Sequence, residues 1–123
     1  MLLAEDSSFF RNHVKSFIDA EGYEVIACED GQVAWDALQE RADDIDMLVT
    51  DIEMPNMTGF ELTEKLRAEE RFKDLPVIAL TTRADVEATE KGKAVGIDNY
   101  QVKLDREQLL KAIALELKKG ETS

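Results

Sequence analysis

The sequence predicts an α/β fold: five parallel strands in the order 2-1-3-4-5, with helices on both faces. Two observations and one rule of chain topology predict it. Short apolar runs alternate with amphipathic stretches five times along 123 residues. That alternation builds a parallel sheet covered on both sides. Right-handed crossovers then leave few topologies, and the five-stranded doubly wound order fits this one. The apolar runs also end on polar residues that can do chemistry: Glu5-Asp6, Asp51, Thr81 and Lys103.

Met1 to Ala4 reads as the first strand, ending in two adjacent acids, Glu5 and Asp6. Ser7 and Ser8 can cap the helix that follows. Phe10, Val14, Phe17 and Ile18 fall on one face of it, and Gly22 stops it. Glu24 to Cys28 reads as the second strand. Asp30-Gly31 turns into a second helix carrying Ala34, Trp35 and Leu38, with Trp35 expected in the core. Asp43-Asp44 and Asp46 lead to the third strand, Met47 to Asp51, whose Leu48 and Val49 suit a strand buried on both faces. Pro55 and Gly59 force a loop, and Phe60 to Ala68 is predicted helical, with Leu62 and Leu66 one turn apart. Pro76 opens the fourth strand, Val77 to Leu80, ending at Thr81-Thr82. Asp85 to Ala94 is a polar helix, and Gly92 and Gly96 make it the least stable of the five. Asn99 to Val102 is the fifth strand, ending at Lys103. Asp105 caps a last helix with Leu109, Leu110, Ile113 and Leu117 on its buried side. Residues 1–119 form one domain, and residues 120–123, from Gly120 on, read as a frayed tail.

Composition excludes several functions. The chain has 27 acids against 15 bases, a net charge of −12. Such a surface repels phosphate backbones, so this domain is not expected to bind nucleic acid. No apolar run approaches the roughly 20 residues of a membrane span, and no signal peptide is visible. The single cysteine, Cys28, cannot form an internal disulfide, which fits a reducing cytoplasm. It reads as a small buried hydrophobe. The strand starts immediately after Met1, which predicts a segment cut from a longer chain.

In an open parallel sheet, chemistry gathers at the carboxyl ends of the strands. The predicted order makes strands one and three neighbours, so Glu5, Asp6 and Asp51 crowd one hollow. Like charges that close repel and titrate as a coupled set. A divalent cation with oxygen ligands offsets them, and Mg²⁺ is commonly held by one or two carboxylates with waters and phosphate oxygens. Lys103 adds a positive charge and Thr81 a hydroxyl. A carboxylate nucleophile, metal, ammonium and hydroxyl are the minimum set for phosphoryl transfer onto an aspartate.

These residues, at these strand ends, resemble the receiver domain of two-component response regulators, the CheY-like group. The resemblance rests on Glu5-Asp6, on Asp51 with Met54-Pro55 and Gly59 behind it, and on Thr81 and Lys103. It spans residues 2 to 117. It implies the flavodoxin-like fold, with Asp51 as phosphoacceptor for a histidine kinase or a phosphotransfer domain. By the same resemblance Glu5, Asp6, Asp51 and the backbone carbonyl of Glu53 hold Mg²⁺ or Mn²⁺. Thr81 is the switch hydroxyl, Tyr100 the aromatic that turns inward with it, and Lys103 the lysine that contacts phosphate. Thr82, Glu53 and Arg83 tune the lifetime of the phosphoryl group. The readout face comprises the fourth helix, fifth strand and fifth helix, including Val86, Tyr100, Gln101 and Gln108, and it meets a downstream protein. The isolated domain is expected to be a monomer.

Leu104 follows the lysine where most receivers have proline, which bears on whether that peptide is cis, since a non-proline cis bond costs about 2.5–4 kcal/mol. The run Lys103-Leu104-Asp105-Arg106-Glu107 is similar to receivers attached to chemotaxis CheA-type hybrid histidine kinases. The alternatives are a stand-alone response regulator or a phosphate sink. Two other chemistries share some of these features. A haloacid-dehalogenase-type aspartyl phosphatase needs an acid two residues after its nucleophile, where Glu53 stands, but also a cap region that 123 residues lack. A flavodoxin-like FMN carrier needs a phosphate loop where Glu5-Asp6 stands. Taken singly, Asp51 reads as a turn residue, Glu5-Asp6 as a helix start and Lys103 as a solvated end charge. His13 lies beside the apolar stripe of the first helix with no ligand partner at metal spacing, and reads as a flank residue.

Overall fold

The computed structural model describes residues 1–81, 86–103 and 105–121, the side chains at 86–89 and 119–121 excepted. The element order is β1 (Leu2–Ala4), α1 (Ser8–Ala20), β2 (Ile26–Cys28), α2 (Gly31–Glu40), β3 (Leu48–Asp51), α3 (Gly59–Arg67), β4 (Val77–Thr81), α4 (Val86–Val95), β5 (Asn99–Val102) and α5 (Arg106–Glu121). All strand pairs are parallel and the sheet order is β2-β1-β3-β4-β5. The predicted fold class is therefore the observed one.

Strand alternation divides the core between the two faces. Leu2, Ala4, Leu48, Val77 and Ala79 face α2 and α3, where Ala34, Leu38, Leu62 and Leu66 meet them. Leu3, Val49, Ile78 and Leu80 face Val14 and Ile18 of α1 and Leu109 and Ile113 of α5. β1, β3 and the first four residues of β4 are buried on both faces, which explains why they read as unbroken apolar runs.

Helix ends follow their caps. Ser7 accepts from Phe10 N to start α1, and Asp30 accepts from Val33 N to start α2. Asp105 accepts from Gln108 N to start α5. At α3, Thr58 and Glu61 bond each other's backbone N–H groups in a reciprocal capping box.

Several expected boundaries and placements differ. β2 begins at Ile26, not Glu24, and β3 at Leu48, not Met47; strand ends commonly move by one or two residues. Gly96 does not weaken α4 but ends it. It takes φ +103°, and its N–H and that of Ile97 bond back to Lys93 and Gly92 carbonyls. α5 is helical to Glu121, so Gly120 lies inside it where the sequence predicts a tail; one glycine costs about 1 kcal/mol, too little to stop a helix already propagating. Trp35 is half-buried at the margin of the core: it packs against the α2–α3 cluster, with the Lys65 ammonium 5.3 Å from its ring. Cys28 is buried as expected, and burial, with the Asp30 charge, pushes its thiol up to about 11. His13 is exposed, packed on Phe9. Thr82, Arg83, the Asp85 helix start, the Val86 side chain and the Lys103–Leu104 peptide lie outside the described residues. Among the described residues no helix is long and apolar enough to cross a membrane.

Candidate functional site

The sheet register brings the strand ends level. Ala4 pairs with Thr50, Asp51 with Leu80, and Thr81 with Val102. Glu5 and Asp6 therefore emerge beside Asp51, with Thr81 and Lys103 on the neighbouring strands. One oxygen each from Glu5, Asp6 and Asp51 lies within 4.8 Å of the others. Glu5 is fully buried, Asp51 is 6% exposed, and Asp6 faces solvent.

Lys103 reaches into this group. Its Nζ donates to Glu5 Oε1 at 2.6 Å and lies 3.2 Å from Asp51 Oδ2. The other Asp51 oxygen accepts from Ile52 N at 2.8 Å. Backbone contacts hold the acids in place. Arg11 Nη1 donates to the carbonyls of Glu5 and Asp6 at 2.9 and 3.4 Å. Thr50 Oγ1 donates to the Asp51 carbonyl at 2.8 Å. Gly59 closes on the same strand end: its N–H bonds Ile52 O, and a Cβ there would overlap the Asp51 carbonyl. The glycine is thus required by close backbone approach.

The electrostatics follow from burial. Burial, then Glu5, pushes the Asp51 carboxyl up to about 6, against the opposing pull of Lys103. Burial and the neighbouring Asp51 raise Asp6 as well. Burial opposes the charge on Lys103, but the hydrogen bond to Glu5 and the Asp51 charge outweigh it and hold the ammonium above its ordinary value. Among the described residues three acids face one ammonium, which leaves the hollow short of positive charge by two.

The donor set fits a hard divalent ion. Glu5 Oε2 is buried and has no hydrogen-bond partner among the described residues. A buried carboxylate oxygen left unpaired is costly, and a cation is the partner that this oxygen lacks. An octahedral ion at about 2.1 Å sets opposite ligands about 4.2 Å apart, close to the spread of the three acids.

The remaining expected residues are placed as follows. Thr81 closes β4 at the same edge, and its carbonyl accepts from Lys103 N at 2.7 Å. Glu53 stands in the loop two residues beyond Asp51 with its side chain exposed. Tyr100 is half-buried on the α2–α3 face of the sheet and sits against Gly92 of α4, where an added Cβ would overlap its ring. Gln101 is half-buried and Gln108 exposed. Sequence reasoning missed Phe10, whose ring centroid lies 4.5 Å from Lys103 Nζ, and Arg11. Phe10 read only as a core-facing position. The sequence reading also passed over the capping box Thr58-Gly59-Phe60-Glu61, although the S/T-x-x-E spacing carries that signal.

The family model of the response regulator receiver domain matches residues 1–114. The chain belongs to this family. As a receiver domain it is similar to the chemotaxis protein CheY1 of Helicobacter pylori, 38% identical over 112 residues and 90% of each chain. Among solved structures it is similar to the chemotaxis response regulator CheY4 of Vibrio cholerae, with a TM-score of 0.86 and 34% identity over 94% of this chain and 95% of that one. It is also similar to the receiver domain of a sensor histidine kinase from Pseudomonas aeruginosa, with a magnesium ion coordinated in its active-site cleft. There the TM-score is 0.85 at 25% identity, covering 95% of each chain. Membership of the receiver family argues against the phosphatase and flavin-carrier alternatives.

Proposed function

We propose that this receiver domain takes a phosphoryl group onto Asp51 and uses the change to switch the surface around α4, β5 and α5. The observation that carries the proposal is Asp51 itself: a nearly buried carboxylate at a strand end, between one ammonium and two further acids. The donor is a phosphohistidine on a histidine kinase or phosphotransfer domain. A carboxylate oxygen of Asp51 attacks phosphorus, a P–O bond forms, the P–N bond breaks, and the imidazole leaves. Glu5, Asp6 and Asp51, with the Glu53 carbonyl, hold Mg²⁺, which supplies positive charge to the phosphoryl oxygens; Mn²⁺, with similar oxygen ligation, suits the same set. Lys103 supplies the second positive charge from the other side.

The acyl phosphate adds charge and acceptor oxygens at one sheet edge. Thr81 and Lys103 rearrange around it, and Tyr100 leaves its seat against Gly92. Thr82, Glu53 and Arg83 tune how long the phosphoryl group persists. The domain acts in the cytoplasm as a monomer, residues 1–119 forming the working unit. Two contexts are supported by different observations. Similarity to a chemotaxis CheY protein is the ground for the stand-alone regulator. The Lys103–Glu107 run and the similarity to a sensor kinase's receiver support a hybrid chemotaxis kinase. The full reading frame that carries the chain decides between them.

The test of the site is direct. Incubated with Mg²⁺ and a radiolabelled phosphodonor, the wild type becomes labelled and Asp51→Asn does not. Undiminished labelling of Asp51→Asn sinks the assignment. Removal of the metal with a chelator should abolish labelling of the wild type.

A further inference from the structure

Among the described residues the Lys103 ammonium meets three groups. Two are carboxylates, Glu5 at 2.6 Å and Asp51 at 3.2 Å, and the third is the Phe10 ring, 4.5 Å away. The lysine side chain is only 7% exposed. Phe10 is held by its surroundings: its N–H donates to the capping Ser7 Oγ at 3.4 Å, and Phe9 packs edge-on at 5.3 Å. The Ser7 bond caps α1 through the Phe10 backbone, whereas the Phe10 ring is not among the buried residues of the helix, Val14 and Ile18.

We propose that Phe10 is a positioning residue for phosphoryl binding. Its ring holds the Lys103 ammonium at the rim of the carboxylate hollow, ready to meet the phosphoryl oxygens. The inference rests on the reading of Asp51 as phosphoacceptor. A lysine ammonium is a strongly hydrated charge on a flexible four-carbon stem. The aromatic face attracts it and denies water one side of it. The two kinds of neighbour differ in what happens when a phosphoryl group arrives. A carboxylate contact must be given up, because its oxygen and the phosphoryl oxygens compete for the same N–H donors. An aromatic face uses no such donor, so its hold persists through the exchange. Phe10 thus fixes the lysine without competing with the group it serves.

The experiment uses the full chain and two titrations followed by ¹H–¹⁵N NMR: Mg²⁺ alone, then beryllofluoride, a mimic of the acyl phosphate, in saturating Mg²⁺. Phe10→Leu keeps apolar bulk and removes the π face; Phe10→Tyr keeps the face. In Phe10→Leu we expect Mg²⁺ affinity within about 2-fold of wild type and beryllofluoride affinity lowered about 3- to 10-fold, the scale of one cation–π contact. Phe10→Tyr should restore it. Phe10 is only half-buried, but if Phe10→Leu does not fold, Phe10→Met carries the same comparison. Unchanged beryllofluoride affinity in Phe10→Leu overturns the proposal. So does a parallel fall in Mg²⁺ affinity, which marks general loosening, or a Tyr variant as weak as the Leu variant. A wild type that takes up no beryllofluoride overturns the Asp51 reading as well, and so separates the two failures.

Discussion

At the residue scale, the hollow is built against its own stability. An acid whose native value is raised binds protons more tightly when folded than when unfolded. In the window from about 4 to 6 the native state therefore holds more protons, and unfolding becomes easier as pH rises. Metal-free protein should lose about 2–3 kcal/mol from Asp51 alone across that window, the loss being complete above it. Urea unfolding at pH 4.5 and 7 in chelator, with the same pair in excess Mg²⁺, measures this; the slope should shrink when the ion is present. Asp51→Asn should raise metal-free stability at pH 7 by about 1–3 kcal/mol while destroying phosphoacceptance, a gain that an ordinary buried polar substitution does not give. Arg11→Ala removes the clasp on the Glu5 and Asp6 carbonyls. It should weaken Mg²⁺ binding several-fold in a calorimetric titration without touching a ligand atom. Asp51 was legible in the sequence because a strand ending on a carboxylate is a local signal. Phe10 and Arg11 were not, because their roles depend on where α1 starts relative to Lys103 and to the β1 carbonyls, distances that no sequence window contains.

At the scale of elements, Arg67 at the end of α3 binds more of the chain than any pattern announces. Its guanidinium donates to the carbonyls of Phe72, Lys73 and Leu75, to Gly96 just past α4, and to Asp98. Asp98 in turn accepts from Val77 N at the start of β4 at 2.8 Å. Arg67→Ala leaves several partly buried carbonyls unpaired, and should cost about 2–4 kcal/mol in chemical denaturation. An arginine closing an amphipathic helix reads in sequence as a favourable charge near the helix C-terminus, so nothing local distinguishes it from Lys65. Gly92 is the reverse case. In sequence it is a helix weakener; in the fold it makes room for Tyr100. Gly92→Ala gains about 1 kcal/mol of helix propensity, yet the new methyl displaces the ring. Aromatic NMR shifts of Tyr100 should move strongly while α4 remains helical; an unmoved ring contradicts the seating.

For the whole molecule, the fold was legible because each level agrees: periodicity, caps and apolar runs all point to one sheet order. The boundaries at β2 and α5 were less so, since strand and helix ends are set by pairing and propagation, not by residue type. The net charge of −12 also acts on the whole. Self-repulsion of this kind is screened by salt, so metal-free protein should melt higher in 0.5 M NaCl than in 20 mM, and Mg²⁺ should exceed the effect of equal ionic strength from NaCl by filling the hollow. The Arg67–Asp98 junction has a mechanical consequence. It clamps the amino ends of β4 and β5, whereas Thr81 and Lys103 occupy their opposite ends. A strain introduced at Lys103 therefore finds its stiff footing a strand length below. The pair of strands would lean about that footing as a reed bends from its root, and amide exchange quickened by phosphorylation should fade from Val102 down towards Asn99.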